Sequence, residues 1–90
     1  MTSRFVKHAE LRVTALEGEG VALHLGSRRY FTVTETGLSI LQALDTPRPF
    51  DEIVDCITAE YDIDREHAAT SVRAFLDRCV EAALIREDAA

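Results

Sequence analysis

The chain has 90 residues, of which 47% are hydrophobic and 29% charged, and its formal net charge at pH 7 is −6. This length supports one domain with a modest core, so a second domain is excluded. The acidic balance argues against non-specific binding of nucleic acid and against docking on an anionic membrane, because both need a basic surface.

Three short strands are predicted in the first third of the chain. Apolar and polar residues alternate over residues 11–16 and again over 21–25, and residues 30–33 form a third segment rich in aromatic and β-branched side chains. The intervening turns at 17–20 and 26–29 are short, which is typical of an antiparallel meander.

Three helices are predicted in the remainder of the chain. Thr34 is a suitable N-cap for a first helix that ends near Asp45, and the proline-containing segment 46–49 breaks it. Apolar residues at helical spacing predict a second helix over 50–61, and Asp64 caps a third from about 65 to 82. The expected class is α+β, with a three-stranded antiparallel sheet followed by three helices in a winged helix-turn-helix-like arrangement.

The domain is expected to span residues 10–86, with 1–9 as an N-terminal segment and 87–90 as a C-terminal tail. No apolar run reaches the length of a secretion signal or a membrane span, so we expect a cytoplasmic protein. Cys56 and Cys79 lie in helical patterns, where they are either two reduced core thiols or a disulfide pair.

Groups that could perform chemistry do not gather in any known catalytic pattern. His8, His24 and His67 fall in different predicted elements, and no two have the spacing of a metal-binding pair. The acidic residues at helix starts are explained by capping and by the helix dipole. We therefore predict no enzyme activity, no metal and no cofactor.

Peptide binding is the function that the predicted elements favour. The third predicted strand has a free edge, to which an extended peptide can add through backbone hydrogen bonds. The third predicted helix carries a second apolar stripe that could form a groove wall, with Leu76 and Val80 on it. Arg28, Arg29 and Arg73 are candidates to contact acidic side chains of the peptide, and Asp77 to contact a basic one.

Three alternatives to this interpretation stay open. Tyr30 and Phe31 could simply fill the core, and since neighbouring strand residues face opposite ways, one of the two is expected to do so. The wide apolar face of the third helix could likewise only meet the sheet. A winged-helix DNA-binding protein is the third alternative, but the arginines of the third helix are offset by acidic residues.

Two long segments of the sequence carry a resemblance to a known family. They are VALHLGSRRYFTVTETGLSILQAL at 21–44 and PFDEIVDCITAEYDIDREHAATSVRAFLDRCVEAALI at 49–85. In order and spacing they resemble the PqqD-like recognition elements that bind precursor peptides in the biosynthesis of ribosomally made, modified peptides (RiPPs). The resemblance covers about residues 10–86, nearly the whole chain.

The resemblance implies a non-catalytic domain that binds the leader region of a precursor peptide as an added strand. The leader would lie beside the third strand and against the third helix. The positions so implied are Arg29, Tyr30, Phe31, Thr32 and Val33 on the strand and Val72, Arg73, Leu76, Asp77 and Val80 on the helix. From this, we expect Leu76→Asp to abolish peptide binding and leave the fold intact.

The resemblance is greatest to the free-standing recognition proteins of lasso-peptide clusters. There the implied partners are a leader peptidase of the transglutaminase-like type and, further along the pathway, a cyclase. The alternative is a PqqD-type peptide chaperone that serves a radical SAM enzyme in pyrroloquinoline quinone biosynthesis. Ala83 departs from the family pattern, in which a glycine often precedes the final apolar pair.

Overall fold

The structure, a computed structural model, describes residues 3–89 and combines six strands with three helices. In chain order the elements are β1 (Ser3–Lys7), β2 (Leu11–Leu16), β3 (Glu19–His24), β4 (Arg29–Thr34), α1 (Glu35–Ala43), β5 (Arg48–Pro49), α2 (Phe50–Glu60), α3 (Arg65–Glu81) and β6 (Ile85–Ala89). The three predicted strands correspond to β2, β3 and β4, and the three predicted helices to α1, α2 and α3. The predicted α+β class is confirmed.

The strands β2, β3 and β4 form an antiparallel sheet in that order. Val21 of β3 lies between Thr14 of β2 and Thr32 of β4, and this register continues along all three strands. A Cβ atom at Gly20 would lie 2.8 Å from Leu38 Cδ1, so the missing side chain lets α1 pack directly on β3. Within residues 3–89, β4 pairs only with β3, which leaves its other edge without a strand partner.

A second three-stranded sheet, in the order β5-β1-β6, joins the two ends of the described chain. Phe5 of β1 pairs with Arg48 on one side and Glu87 on the other, and its side chain is only 1% exposed. Segments 1–9 and 87–90 were expected to lie outside the domain. Where the structure describes them, they contribute strands β1 and β6; residues 1, 2 and 90 lie outside the described part.

Both predicted N-caps are confirmed by hydrogen bonds. The Thr34 hydroxyl accepts the backbone N–H of Gly37 at 3.2 Å, and the Asp64 carboxylate accepts that of His67 at 2.8 Å. These bonds satisfy donors that the first turn of a helix would otherwise leave unpaired. They therefore set the starts of α1 and α3.

The core lies between the helices and the two sheets. Its largest fully buried side chains come from β1 and all three helices: Phe5, Ile40, Leu41, Ile53, Val54, Ile57, Val72 and Leu76. Cys79 is buried and Cys56 half-buried, and both are free thiols. Among the described helices, none is long and apolar enough to cross a membrane.

Candidate functional site

A groove of about 420 Å³ runs between β4 and α3. Its strand side is formed by four consecutive residues of β4: Phe31, Thr32, Val33 and Thr34. The side chains on its helix side come from a single face of α3 and from the segment that follows: Phe75, Arg78, Cys79, Ala82 and Leu84. The groove therefore combines the unpaired edge of β4 with a mostly apolar helix face.

The side chains of β4 alternate between the groove and the opposite face of the sheet. Phe31 is half-buried and Val33 is buried against the core, whereas Tyr30 is 71% exposed. Of the two aromatic residues, Phe31 is therefore the one that lines the groove. Of the other predicted residues on this side, Thr32 belongs to the groove lining, and Arg29, outside the lining, stacks on the Phe31 ring at 5.3 Å. Arg28 lies exposed in the turn before β4 and does not line the groove.

Two of the helix positions predicted to face the groove lie instead in the core. Val72 and Leu76 are both 0% exposed. The expectation that Leu76 faces the groove is wrong, because the helix face that carries it packs inward. Neither side chain is available to a molecule bound beside β4.

The three other predicted helix positions lie on the far side of α3. The Arg73 guanidinium stacks on Phe50 at 4.4 Å and on Phe5 at 5.7 Å, and it pairs with Asp77 at 3.8 Å. Val80 is 40% exposed but does not line the groove. At about 100° per residue, these positions are roughly half a turn round the helix from Phe75. None of the five predicted α3 residues thus forms the groove wall.

The residues that do form the helix wall follow a spacing that the sequence displays. Phe75, Arg78, Cys79 and Ala82 stand at i, i+3, i+4 and i+7, the pattern of one helix face. The predicted groove wall was instead the neighbouring stripe, which contains Leu76 and Val80. The helix carries several apolar stripes, and periodicity alone does not say which one meets the core and which one borders β4.

Gly37 of α1 determines where the Phe75 ring lies. A Cβ atom at this position would be 2.7 Å from Phe75 Cε1 and 3.1 Å from its Cζ. The absence of a side chain at Gly37 therefore lets the ring pack against the first turn of α1 and keeps it at the groove wall. This contact explains a glycine in a helix, where it is otherwise unfavourable by about 1 kcal/mol relative to alanine.

A second, smaller hollow of about 250 Å³ continues the groove past the end of β4. It lies among α1, α2 and α3, and Thr34, Phe75 and Arg78 line both hollows. Its remaining lining is mainly apolar or small, and includes Gly37, Ile40, Ile57, Ile63, Ala68 and Ser71. A molecule that follows the edge of β4 can therefore extend into a second compartment.

The groove contains little that could perform chemistry. Burial raises the pKa of the Cys79 thiol to about 11, although the neighbouring Arg78 charge acts in the opposite direction. The thiol is thus protonated at neutral pH, and a protonated thiol is a poor nucleophile. Within residues 3–89, no three histidine, cysteine, aspartate or glutamate side chains form a group that could hold a metal ion.

What the groove offers is backbone and apolar surface. In an antiparallel pair, every second residue of β4 directs its N–H and C=O groups away from β3. An extended chain laid along this edge can pair with those groups and place alternate side chains against Phe31, Val33 and Phe75. A strand edge beside an apolar helix face is an arrangement to which an extended peptide can add.

Comparison with known proteins gives one family and two similar structures. Residues 19–85 match the family model for PqqD, described as coenzyme PQQ synthesis protein D. The chain is 30% identical to TbiB1 in a structure with the TbiA(beta) leader peptide, at a TM-score of 0.79 over 89% of this chain and 93% of that one.

The second similar structure, a lasso peptide synthetase B1 complexed with the leader peptide, is 21% identical at a TM-score of 0.73, over 90% of this chain and 95% of that one. At this identity the match shows a shared fold. No curated protein matches the chain. Because the family model covers most of the chain, and because TbiB1 is similar over nearly its full length, the chain belongs to the PqqD family.

Proposed function

We propose that the chain binds the leader region of a ribosomally made precursor peptide and does not change it chemically. The observation that carries the proposal is the groove in which the unpaired edge of β4 faces an apolar side of α3. The leader would add to β4 as an extended strand and place apolar side chains against Phe31 and Phe75. The two similar structures, both complexes with leader peptides, support this assignment.

The proposed pathway is lasso-peptide biosynthesis in the cytoplasm of a bacterium. There the bound precursor would be presented to a leader peptidase of the transglutaminase-like type and then to a cyclase. The name of the second similar structure favours this pathway, whereas the family description favours pyrroloquinoline quinone synthesis. Faster leader removal by a peptidase when the chain is added would support the lasso assignment, and an unchanged rate would oppose it.

Hydrogen exchange tests the strand addition directly. Peptides that bind the chain can be selected from a displayed library of random sequences, and a selected peptide then added to the labelled protein. We expect exchange to slow at alternate backbone amides of β4, because a paired edge strand is protected from solvent. Binding that leaves all β4 amides unchanged would contradict strand addition.

A matched pair of α3 variants tests the groove wall. Phe75→Ala removes an aromatic side chain from the groove, whereas Val80→Ala removes an exposed one on the far side of the same helix. We expect the first to weaken peptide binding by about tenfold or more, in keeping with the loss of an aromatic anchor, and the second to leave it unchanged. Equal effects of both substitutions would place the peptide elsewhere.

A further inference from the structure

We propose that Arg78 recognises an acidic side chain of the bound peptide at the point where the peptide leaves β4. This inference rests on the proposed function and specifies the chemistry of the ligand. It predicts a peptide with alternating apolar residues along β4 and one aspartate or glutamate near Thr34. The acidic position would separate the part of the peptide that pairs with the strand from the part that enters the second hollow.

The position of Arg78 is the first argument. Arg78 lines both the groove between β4 and α3 and the second hollow, together with Thr34 and Phe75. Among the described residues, it is also the only charged one in the lining of either hollow. A peptide that extends from the groove into the second hollow would therefore pass beside Arg78.

The absence of an internal partner is the second argument. Within residues 3–89, arginine ion pairs are formed by Arg48, Arg65, Arg73 and Arg86, and none involves Arg78. The hydrogen bonds of this part of the chain likewise include none donated by its side chain. The planar donor group is thus free to bind a carboxylate through two parallel hydrogen bonds.

The surroundings of Arg78 are the third argument. Apolar neighbours such as Phe75, Cys79 and Ala82 exclude water when a peptide covers the groove, and they strengthen an ion pair formed there. The chain as a whole carries a net charge of −6 and repels acidic peptides at long range. A preference for an acidic residue must therefore arise from a local cation, and Arg78 is the cation in the groove lining.

A charge reversal tests the assignment. A displayed library of random peptides is selected in parallel on the wild type, on Arg78→Glu and on Arg4→Glu, which changes an exposed arginine of β1 that lines neither the groove nor the second hollow. We expect aspartate or glutamate at one fixed position in wild-type selections and lysine or arginine at the same position with Arg78→Glu. The Arg4→Glu protein should select the wild-type pattern.

A double-mutant cycle with one selected peptide measures the contact. Replacing its acidic residue by the neutral amide should weaken binding to the wild type by about tenfold to hundredfold, the range expected for a hydrogen-bonded charge pair. The same replacement should have little effect on Arg78→Gln, because the cation is already gone.

The outcomes separate this inference from the proposed function. Peptides that protect β4 amides but show no acidic preference, or a preference unchanged by Arg78→Glu, would overturn the role of Arg78 alone. Selected peptides that neither protect β4 nor depend on Phe75 would overturn the proposed groove and the role of Arg78 with it. A circular-dichroism spectrum and a melting curve identical to those of the wild type establish that each variant is folded.

Discussion

Ala83 adopts a left-handed backbone conformation directly after α3, with φ at 61°. The N–H of Leu84 bonds to the Cys79 carbonyl at 2.9 Å and that of Ala83 to the Val80 carbonyl at 3.0 Å. This pair of bonds is a Schellman motif, in which the left-handed position strongly favours glycine. The departure from the family pattern thus lies at a residue where alanine is strained.

Ala83→Gly is therefore expected to stabilise the protein. The left-handed conformation costs a residue with a Cβ atom about 1 kcal/mol or more, and glycine avoids this. Urea denaturation should show a gain of about 1 kcal/mol in the free energy of unfolding. Ala74→Gly, at an exposed position inside α3, is the matched control and should cost about 1 kcal/mol. Destabilisation by both substitutions would contradict the assignment.

Leu76→Asp is expected to destabilise the fold itself, and not only to affect peptide binding. The side chain is 0% exposed, so the substitution places a carboxylate in the core. We expect it to lower the free energy of unfolding by at least about 3 kcal/mol and to impair folding itself. Val80→Asp on the exposed side of α3 should change stability little. A folded Leu76→Asp protein with unchanged stability would show that the helix packs differently.

Gly37→Ala tests the contact between α1 and Phe75. The new Cβ atom would lie 2.7 Å from the ring, so the ring must turn away and change the shape of the groove. We expect the chain to remain folded and its affinity for a selected peptide to fall by about twofold to tenfold, in keeping with rotamer strain of about 0.5–1.5 kcal/mol.

A second substitution checks the cause of that loss. Phe75→Leu removes the crowded ring atoms, so in the Phe75→Leu background the Gly37→Ala substitution should have little further effect on affinity. Isothermal titration calorimetry of the wild type, the two single variants and the double variant gives the coupling between the two positions. Additive effects would mean that the two side chains do not meet.

At the scale of single elements, helix α3 begins at a titratable cap. The pKa of the Asp64 carboxyl is lowered from its usual 3.8 because it accepts hydrogen bonds from the backbone and the side chain of His67. A carboxyl whose pKa is lower in the folded state stabilises the fold above its unfolded pKa. That contribution disappears as the pH falls through the folded value.

Asp64→Asn isolates this charge, because asparagine also caps helices but does not titrate. We expect the wild type to have the higher melting temperature at neutral pH, and the difference to shrink as the pH falls below 3.8. Melting curves followed by circular dichroism over this range measure it. A difference that is independent of pH would assign the effect to something other than the carboxylate.

The conformation of β4 depends on its local sequence, whereas the surroundings of its side chains depend on the packing of α3. Its sequence predicts a strand, and the preceding short turn predicts pairing with β3. Its free edge follows from the meander order, in which the next element is a helix. Which of its side chains enter the groove depends on where α3 packs, and this is decided by contacts far along the chain.

At the scale of the whole molecule, the first and last strands of the described residues, β1 and β6, pair with each other. Strand β1 lies between β5 and β6, and the Lys7 ammonium donates a hydrogen bond to the Asp45 carboxylate at 2.7 Å. The Phe5 side chain extends from this sheet into the core, where the side chain is almost completely buried. Segment 3–7 is thus an integral part of the domain.

Phe5→Ala is expected to destabilise the whole protein. Removing a buried aromatic ring typically costs about 3–5 kcal/mol, a large share of the total stability of a small domain. Denaturant titration measures the loss, with Arg4→Ala as the exposed neighbour in the same strand. If Phe5→Ala were as stable as Arg4→Ala, β1 would not contribute to the core.

The features of this protein that depend on near neighbours in the chain can be predicted from its amino-acid sequence. Alternation predicted the meander, helical spacing predicted all three helices, and Thr34 and Asp64 marked two helix starts. The free edge of β4, to which we propose that the peptide adds, also follows from the local order of the meander.

Tertiary structure decided what depends on contacts between distant segments. Strands β1 and β6 are short and charged, with little alternation of their own, and they exist as strands because they pair with each other from opposite ends of the chain. The choice among the stripes of α3 was decided in the same way. Packing buried Leu76 and left Phe75 and Arg78 beside β4, because a helix with several apolar faces takes its orientation from its neighbours.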